Sequence, residues 1–435
     1  MGERGLRLGL VGLGTIGTGV VRLLQAQGPA IAQRLGTPLE LVRIADVDLE
    51  RDRAVALDAY ALTRDWREVV ADPDIDLVIE LIGGTGVARD VVLAALAARK
   101  DVVTANKALL SVHGPELFAS AAENGVDIAF EASVAGTIPV LRALREGLCA
   151  DRIEAVHGIV NGTCNFILSE MDAGGDPYAA CLKRAQELGY AEADPTLDVS
   201  GSDSAQKLAI LLGLALGVHL DPADLPTEGI ERVSPIDMEF ARQFGLRIKL
   251  LAMAKEHEGA VEARVGPTMI PASSVLAGVA GAMNAVEVRG RHSGPTLYYG
   301  AGAGALPTAS AVLGDVMELG RNRRLGISGR VPPLGTPSLR ETRLRSPEEI
   351  EAEYYLRFAV LDKPGVLASI TGVLGNLGIS IASVVQPERH ASEAVPVVIM
   401  THRAREASVQ RARARIETLG EVRERAQLIR IEREL

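Results

Sequence analysis

The sequence is poor in aromatic residues and in basic tracts, and each scarcity excludes a class of protein. Aromatic residues make up 3% of the 435 positions, whereas 47% of the residues are hydrophobic. The apolar mass is therefore mainly aliphatic, which is typical of helices packed on parallel strands. The net charge is −10, and no tract of lysine and arginine interrupts it. This acidic balance argues against nucleic acid as a partner, because phosphate binding needs clustered basic residues.

Cysteine and long apolar runs are also scarce. The three cysteines, Cys149, Cys164 and Cys181, form neither a paired framework nor a zinc-binding spacing. We interpret them as small core residues in a reducing compartment. The longest apolar run, 208–218, is too short to cross a bilayer, and the N-terminus runs into a predicted strand without a signal peptide. The sequence therefore predicts a cytoplasmic protein with no membrane partner.

A chain of this length exceeds one ordinary domain, and the pattern of apolar runs predicts three. Strands that alternate with helices predict an α/β fold with a Rossmann-type, doubly wound parallel sheet, followed by an α+β domain for catalysis and dimerisation. A linker rich in Arg, Gly and Pro precedes a small tail, and we expect few contacts across it. The predicted bounds are 1–149 (completed by about 301–320) for the dinucleotide-binding domain, 150–300 for the catalytic domain, 321–348 for the linker and 349–435 for the tail.

A glycine-rich turn connects the first predicted strand to the first predicted helix. Its glycines follow the pattern G-x-G-x-x-G, in which the first makes the tight turn, the second admits a pyrophosphate and the third lets helix and strand pack closely. The N-terminus of the helix attracts the anion. An ordinary βα turn is the alternative, but the strand–turn–helix context favours a dinucleotide site. The predicted cofactor loop consists of Gly12, Leu13, Gly14, Thr15, Ile16 and Gly17.

Asp46 ends the second predicted strand, where an acid usually holds the adenosine ribose. It lies farther from the glycines than the usual spacing of about 20 residues, and an insertion around 28–38 would explain the distance. Arg51 and Arg53 follow, and they either accept a 2′-phosphate or lie in a solvated loop. Because Asp46 favours NAD and the arginines favour NADP, the sequence leaves the cofactor as NAD or NADP.

Two lysines lie where chemistry is expected. Lys107 follows the fourth predicted strand, and the ligand crevice of a doubly wound sheet runs along such strand ends, although a surface lysine is an equal alternative on position alone. Lys207 ends an acidic run and lies four residues after Asp203 on one helix face. The rest of that helix is apolar, so Lys207 lies where burial begins, and charged groups are rarely buried without a partner or a function. An exposed ion pair on the first helical turn is the alternative.

The acidic run from Gly189 to Lys207 resembles the substrate site of homoserine dehydrogenases. The stretches 131–139, 158–163 and 302–304 match that family in the same order, and the resemblance covers residues 5–320. It implies NAD(P)-dependent interconversion of L-homoserine and L-aspartate 4-semialdehyde, in the biosynthesis of threonine, methionine and isoleucine. A homodimer or homotetramer is the expected assembly.

This resemblance implies roles for individual residues. Lys207 maps onto the donor that protonates the carbonyl as hydride arrives, and Lys107 maps onto a lysine that contacts cofactor and substrate. Glu192 and Asp203 suit the substrate ammonium group. The substrate carboxylate is expected at Thr163, at a helix start. Finally, Asp198 is expected to orient Lys207 or a water molecule.

The same resemblance implies further cofactor contacts and a cation. The expected cofactor contacts outside the glycine loop are Asp46, Gly83, Thr85, Lys107, Gly189 and Gly304. A structural monovalent cation, similar to sodium, is expected on a loop built mainly from main-chain carbonyls. Its implied ligands are Glu131, Val134, Gly136 and Ile138.

The tail, over about 352–432, resembles an ACT domain, expected as a ββαββα-type ferredoxin-like regulatory module. Its mark is the turn from Asp362 to Leu367, which opens a helix after the first strand of the tail. The resemblance implies feedback regulation by an amino-acid effector such as threonine, held at this turn. An oligomerisation domain without a ligand is the alternative.

Two other functions remain open at this point. An aldehyde-phosphorylating dehydrogenase such as aspartate-semialdehyde dehydrogenase would need a thiolate nucleophile, for which Cys164 is the candidate near a helix start. A non-enzymatic amino-acid sensor would have no use for Glu192, Asp203 and Lys207. Replacement of Cys164 and an assay with aspartate semialdehyde separate these alternatives from a homoserine dehydrogenase.

Overall fold

The computed structural model describes residues 4–257, 259–386 and 394–435. The chain forms two compact units, each built from separate segments. Unit 1 consists of Met1–Val156, Ala205–Asp224 and Met283–Glu341, and unit 2 consists of His157–Ser204, Leu225–Ala282 and Thr342–Leu435.

Helices and strands are numbered in chain order, within the described residues. The helices α1 to α13 are Thr15–Leu35, Trp66–Ala71, Val87–Ala97, Lys107–Asn124, Val140–Arg142, Gly162–Gly174, Tyr178–Glu187, Thr196–Val199, Ser202–Leu216, Pro235–Gln243, Ala305–Arg324, Val366–Asn376 and Glu406–Glu417. The strands β1 to β17 are Leu6–Val11, Leu39–Ala45, Ala61–Thr63, Leu77–Glu80, Asp101–Thr104, Ile128–Ala129, Ile153–Ile159, Leu246–His257, Ala260–Pro271, Met283–Gly290, Gly294–Ala301, Arg343–Leu344, Glu351–Val360, Ile381–Val385, Val395–Thr401, Ala404–Arg405 and Gln427–Ile431. None of these described helices is both long enough and apolar enough to cross a membrane.

Unit 1 contains the predicted parallel sheet. Its six strands lie in the order β3-β2-β1-β4-β5-β6, and every neighbouring pair is parallel. Strands β4 and β5 are buried along their whole length, as expected for strands covered on both faces. The strand order reverses between β1 and β4, and ligands of such sheets bind at the carboxyl ends of the strands that flank this reversal. The Rossmann-type fold is thereby confirmed.

Helix α1 is longer than the sequence predicted. We expected it to end near residue 27, because glycine and proline usually interrupt a helix. Instead it runs through Pro29 to Leu35 and ends at Gly36, whose φ of +80° is a left-handed cap conformation. The last turns bury apolar side chains in the core of unit 1. Two extra helical turns, and not an inserted loop around 28–38, therefore separate Asp46 from the glycines.

Helix α4 also differs from the prediction, which placed a helix near 114–123. It begins at Lys107, because the Asn106 side chain accepts a hydrogen bond from the Leu109 N–H at 3.1 Å and caps the helix. The helix continues through Pro115 to Asn124. This earlier start puts Lys107 in the first helical turn after β5.

Unit 2 is built on a sheet with the order β8-β9-β17-β13-β15-β14. Strands β8 and β9 form a long antiparallel hairpin, against which α6 and α10 pack. The prediction missed β8, whereas it placed the start of α6 correctly and identified α7 and α9 within two residues of their bounds. The last strand, β17, pairs with β9 in parallel through Arg430 and Thr268.

Apart from the two-residue strand β16, the tail has the order β13-α12-β14-β15-α13-β17, so its pattern is βαββαβ and not the ββαββα pattern that the resemblance implied. Each helix follows a strand and returns the chain to the same sheet, which is the ferredoxin-like arrangement. Tyr354, Leu356 and Phe358 of β13 are fully buried on one face of this sheet, in a core with apolar side chains of α12 and α13. The ferredoxin-like class is confirmed and the element order is corrected.

The expectation of few contacts between the tail and the preceding domain is wrong. The opposite face of β13 contacts α10, where the Tyr355 hydroxyl donates to Asp237 at 2.9 Å and the Arg357 Nε donates to Asp237 at 2.7 Å. Lys255 of β8 pairs with Glu432, just beyond β17. These contacts depend on side chains and strand edges of the two segments that the linker joins. The composition of the linker carries no information about them, so the sequence analysis could not predict the contacts.

Candidate active site

The glycine loop lies at the carboxyl end of β1, and its three glycines meet three different constraints. Gly12 has a φ of +100°, which favours glycine. A Cβ on Gly17 would lie 2.1 Å from the Gly12 carbonyl oxygen, so only glycine lets α1 approach the turn this closely. Nothing lies within 4 Å of the position that a Cβ on Gly14 would take, which leaves room for a pyrophosphate. Leu13, Thr15 and Ile16 complete the loop, with Thr15 as the first residue of α1.

Asp46 follows β2 directly and supports the glycine loop. Its carboxylate accepts the Leu13 N–H at 2.5 Å and pairs with Arg53 at 3.2 Å. The Arg53 Nε also donates to the Leu13 carbonyl at 2.6 Å. Asp46 and Arg53 therefore both lie at the glycine loop. An acidic residue that binds the ribose and a basic residue that binds a 2′-phosphate would both have to lie there. Arg51 is exposed.

A buried acid that the sequence analysis did not select organises the neighbouring strand end. Glu80, at the end of β4, accepts hydrogen bonds from the Ile82 and Gly83 N–H groups and from the Thr104 hydroxyl. Burial raises the pKa of Glu80. A charged residue within the apolar stretch LVIELI (77–82) was the signal that could have identified it.

The same network reaches Lys107 through Asn106. The Asn106 amide donates to the Gly84 carbonyl at 2.7 Å, while its oxygen caps α4. Gly83 and Gly84 both have positive φ, and Thr85 follows them in an exposed turn. The predicted cofactor residues at this edge are thus held together by hydrogen bonds from β4 and β5, and Lys107 opens the helix beside them.

In unit 2 the first turn of α6 holds two of the predicted acids. The side-chain amide of Asn161 donates to Asp198 at 2.7 Å and to Asp203 at 2.8 Å. Its oxygen accepts the Cys164 N–H at 2.8 Å. Asp203 is 4% exposed, so its carboxylate is removed from bulk water. The structure therefore brings Asp198 and Asp203 together through a residue to which the sequence analysis gave no role.

Cys164 lies behind these acids. Its side chain is fully buried, and its Sγ donates to the Asp198 main-chain carbonyl at 3.2 Å. A nucleophile must reach the substrate carbonyl, so this burial disfavours the aldehyde-phosphorylating alternative.

Thr163 and Glu192 belong to unit 2, as does the acid pair. The Thr163 hydroxyl donates to the Tyr190 carbonyl at 2.5 Å, which ties the start of α6 to the loop after α7. Glu192 is exposed on that loop, and its main-chain carbonyl accepts from Gln186. Gly189, with a φ of +75°, lets the chain turn into the loop after α7 ends.

Lys207 lies one turn after Asp203 on α9, and side chains four residues apart share a helix face. It is half-buried, and the residues that follow it on α9 are mostly buried and apolar. Lys107 and Lys207 belong to unit 1, whereas Asp203 belongs to unit 2. Gly304, also in unit 1, has a φ of +127° and caps α11.

The expected cation loop lies in unit 1 between β6 and α5. The Glu131 carboxylate accepts the N–H groups of Leu141 and Arg142 at 2.9 and 2.8 Å, so it caps α5. The Glu131 N–H donates to Asp315, whose pKa burial raises to about 7. Gly136 has a φ of +59°, and the main chain turns sharply there. Val134 and Ile138, the other expected ligands, are buried in the same loop.

Unit 1 has a doubly wound sheet with a glycine loop where the strand order reverses, and Lys107 lies at a neighbouring strand end. These features define a dehydrogenase that depends on a nicotinamide nucleotide. Comparison with known families gives the particular one. The family "Homoserine dehydrogenase, NAD binding domain" matches residues 12–131, "Homoserine dehydrogenase" matches 139–317 and "ACT domain" matches 354–421.

Full-length relatives agree with this assignment. The homoserine dehydrogenase of Pseudomonas aeruginosa is 44% identical over 98% of this chain and 99% of its own length, and that of Bacillus subtilis is 41% identical over 99% of both. A crystal structure of a homoserine dehydrogenase from Thiobacillus denitrificans covers 99% of both chains with a TM-score of 0.93 and 45% identity. The chain therefore belongs to the homoserine dehydrogenase family, oxidoreductases that interconvert L-homoserine and L-aspartate 4-semialdehyde with NAD(P) in amino-acid biosynthesis, and it carries a C-terminal ACT domain.

Proposed function

We propose that Lys207 protonates the carbonyl oxygen of aspartate 4-semialdehyde during its reduction and takes the proton back during homoserine oxidation. The nicotinamide nucleotide supplies or accepts the hydride. Reduction of an aldehyde generates an alkoxide, which a positioned cationic acid stabilises and protonates. Support comes from the half-buried location of Lys207, which lies one turn after Asp203 and at the start of the apolar part of α9. Lys107, at the strand end beside Gly84, is proposed to contact both cofactor and substrate.

The remaining polar groups bind the amino-acid end of the substrate. Asp203 and Glu192 hold the ammonium group, and Asp198 orients Lys207 or a water molecule. The substrate carboxylate lies on the main-chain N–H groups that open α6 at Gly162 and Thr163, because a helix N-terminus favours an anion. The Thr163 hydroxyl is engaged with Tyr190, so its main chain is the proposed anchor. The observation that carries this assignment is the pair Asp198–Asp203, which shares Asn161 as a hydrogen-bond donor and in which Asp203 is buried.

One assay tests the proposal as a whole. NADPH and NADH oxidation are followed with aspartate 4-semialdehyde as substrate, for the unchanged chain and for Asp203→Asn and Cys164→Ser. We expect Asp203→Asn to raise the KM for semialdehyde without weakening cofactor binding, and Cys164→Ser to stay active. An active chain in which Asp203→Asn weakens only cofactor binding contradicts the substrate assignment.

The cofactor preference depends on Asp46 and Arg53. We propose that Asp46 accepts hydrogen bonds from the adenosine ribose and that Arg53 faces a 2′-phosphate when NADP is bound. Arg53 is already held at the loop by Asp46 and Leu13, which supports this position. Arg53→Ala should therefore lower kcat/KM for NADPH more than for NADH. Equal losses with both nucleotides would contradict a phosphate contact.

We propose that main-chain carbonyls of the loop from Glu131 to Ile138 bind a monovalent cation similar to sodium. The Glu131 side chain is committed to the cap of α5, so Glu131 would contribute its carbonyl. When bound, the ion would fix the loop. The test compares melting temperatures in sodium chloride and choline chloride at equal ionic strength, for the unchanged chain and Gly136→Ala, whose Cβ would lie 2.6 Å from the Gly302 carbonyl oxygen. A sodium-specific rise is expected in the unchanged chain alone, and no rise in either protein would contradict the site.

The ACT domain is proposed to bind threonine at the turn from Asp362 to Leu367. The turn is exposed up to Gly365, which caps α12 with a φ of +91°. A carboxylate would lie against the first N–H groups of α12. The test alters the turn with Gly365→Ala and measures inhibition by threonine for the unchanged chain and for this variant. Loss of inhibition with unchanged basal activity is the expected result, whereas equal inhibition of both would exclude this turn.

A further inference from the structure

We propose that Asn161 is a positioning residue that fixes the distance and orientation between Asp198 and Asp203, and through them the place where the substrate ammonium group is held. The inference rests on the proposed function of Asp203. Asn161 is 4% exposed and lies at the N-terminus of α6. Its side chain touches both acids, although it is itself neither an acid nor a proton donor of the reaction.

The orientation of the Asn161 amide follows from its partners. Its oxygen accepts the Cys164 N–H at 2.8 Å, so the nitrogen is the atom that faces the two carboxylates. An amide nitrogen carries two hydrogens, and each of them has a different carboxylate as its acceptor. A flipped amide would direct its oxygen at two acids and its hydrogens at an N–H group, which is unfavourable at both ends.

The two carboxylates come from separate helices, which explains why a shared donor matters. Asp198 lies on α8 and Asp203 lies in the first turn of α9, with a turn at Gly201 between them. Like charges this close repel each other, and hydrogen bonds from one neutral amide offset part of that repulsion. The Cys164 thiol fixes the main chain of Asp198 at the same time. The first turn of α6 therefore holds both the side chain and the backbone of one acid and the side chain of the other.

A purely structural role is the competing explanation, because asparagine is a preferred N-cap residue. Serine and aspartate are comparable caps, so both replacements preserve the acceptor for the Cys164 N–H. Neither supplies two hydrogens to the acids, and aspartate adds a third carboxylate. Asn161→Ser and Asn161→Asp therefore separate the cap from the bridge. Asn165→Ser is the matched control, because Asn165 is similarly buried one turn later on α6 and donates to the main-chain carbonyls of Val279 and Gly281.

The experiment measures homoserine oxidation, NADPH affinity by fluorescence titration and melting temperature for the full-length variants. We expect both Asn161 variants to raise the KM for homoserine by roughly tenfold or more, because each variant loses one or two hydrogen bonds to charged groups. Their affinity for NADPH should stay within about twofold of that of the unchanged chain, a smaller change than the loss of a single net hydrogen bond would cause. Asn165→Ser should lower the melting temperature and leave the KM for homoserine unchanged.

Asp203→Asn and the double variant Asn161→Ser/Asp203→Asn complete the test. If Asn161 acts through Asp203, its replacement should raise KM far less in the Asp203→Asn background than in the unchanged chain. Unchanged KM in both Asn161 variants, together with a raised KM in Asp203→Asn, would overturn the inference and leave the ammonium site standing. An unchanged KM in Asp203→Asn would overturn the ammonium site itself, and additive effects of the two replacements would show that Asn161 acts by another route.

Discussion

Lys249 is a buried lysine whose ionisation should be visible in the stability of the protein. It is 5% exposed on β8, and its ammonium group donates to the Val279 carbonyl at 2.5 Å and to the Asn165 side-chain oxygen at 3.2 Å. Both are neutral acceptors. Burial lowers the pKa of Lys249 to about 8, with Asp172 opposing and Arg247 adding to the shift.

The sign of the pH effect follows from this lowered pKa. Below a pH of about 8, Lys249 is charged in both the folded and the unfolded chain, and folding must bury the charge. Above about 8 the folded chain releases the proton while the unfolded chain keeps it until roughly 10.4, so stability gains from Lys249 as pH rises through this window. We expect the difference in melting temperature between the unchanged chain and Lys249→Met to shift in favour of the unchanged chain between about pH 7.5 and about pH 9.5. A difference that is constant with pH would contradict a lowered pKa.

Lys207 should affect turnover and not the binding of the nucleotide. It is proposed as the proton donor, whereas the glycine loop and Asp46 lie on other elements of unit 1. Lys207→Ala is therefore expected to lower kcat by about a hundredfold or more, the usual contribution of general acid catalysis. NADPH affinity should stay close to that of the unchanged chain, and Lys207→Gln serves as the control for side-chain volume. Normal turnover in a folded variant would remove Lys207 from the reaction.

At the scale of the elements, the contact between α10 and β13 depends on one buried carboxylate. Asp237 is fully buried, and it accepts from Tyr355, Arg357 and the Ser234 hydroxyl that caps α10. Asp237→Ala should lower the free energy of unfolding by roughly 3 kcal/mol or more, because Arg357 would be left without its carboxylate.

A smaller change separates the ion pair from the rest of the contact. Tyr355→Phe removes one hydrogen bond to Asp237 and should cost about 1 kcal/mol. Chemical denaturation of the three proteins gives both values. If Asp237→Ala costs no more than Tyr355→Phe, then the pair with Arg357 does not stabilise this contact.

The elements also show what the sequence could and could not predict. Strand β1, the glycine loop and the helix that opens at the tail's first turn follow from local patterns, because apolar alternation and turn residues are properties of neighbouring positions. The end of α1 beyond Pro29 and the start of α4 at Lys107 depend on packing and on the cap from Asn106, so local propensity misplaced them. In the site, the spacing of Asp203 and Lys207 was enough to select both. Asn161 and Glu80 could not be selected in this way, because their roles arise from partners that are distant in sequence.

At the scale of the whole molecule, the tail is joined to the rest of unit 2 by more than a linker. Strand β17 of the tail pairs with β9, and β12, in the segment predicted as a linker, pairs with β9 as well. Arg264 of β9 is buried, and burial lowers its pKa. Arg430 of the tail adds to this effect, whereas Glu432 and Glu406 of the tail oppose it and favour the charged form. The tail therefore supplies a strand partner for β9 and two acids that act on Arg264.

This attachment predicts that the chain does not tolerate removal of the tail. A chain that ends at Ser346 would expose the edge of β9, leave Asp237 without Tyr355 and Arg357, and remove the acids that face Arg264. Unpaired buried charges and an open apolar strand edge both disfavour the folded state. We expect this truncated chain to be insoluble or to melt well below the full-length protein. A chain that ends at Glu432 is the matched control, because it keeps β17 and Glu432 and should melt close to the full-length protein. A soluble chain ending at Ser346 with an unchanged melting temperature would show that these contacts do not stabilise unit 2.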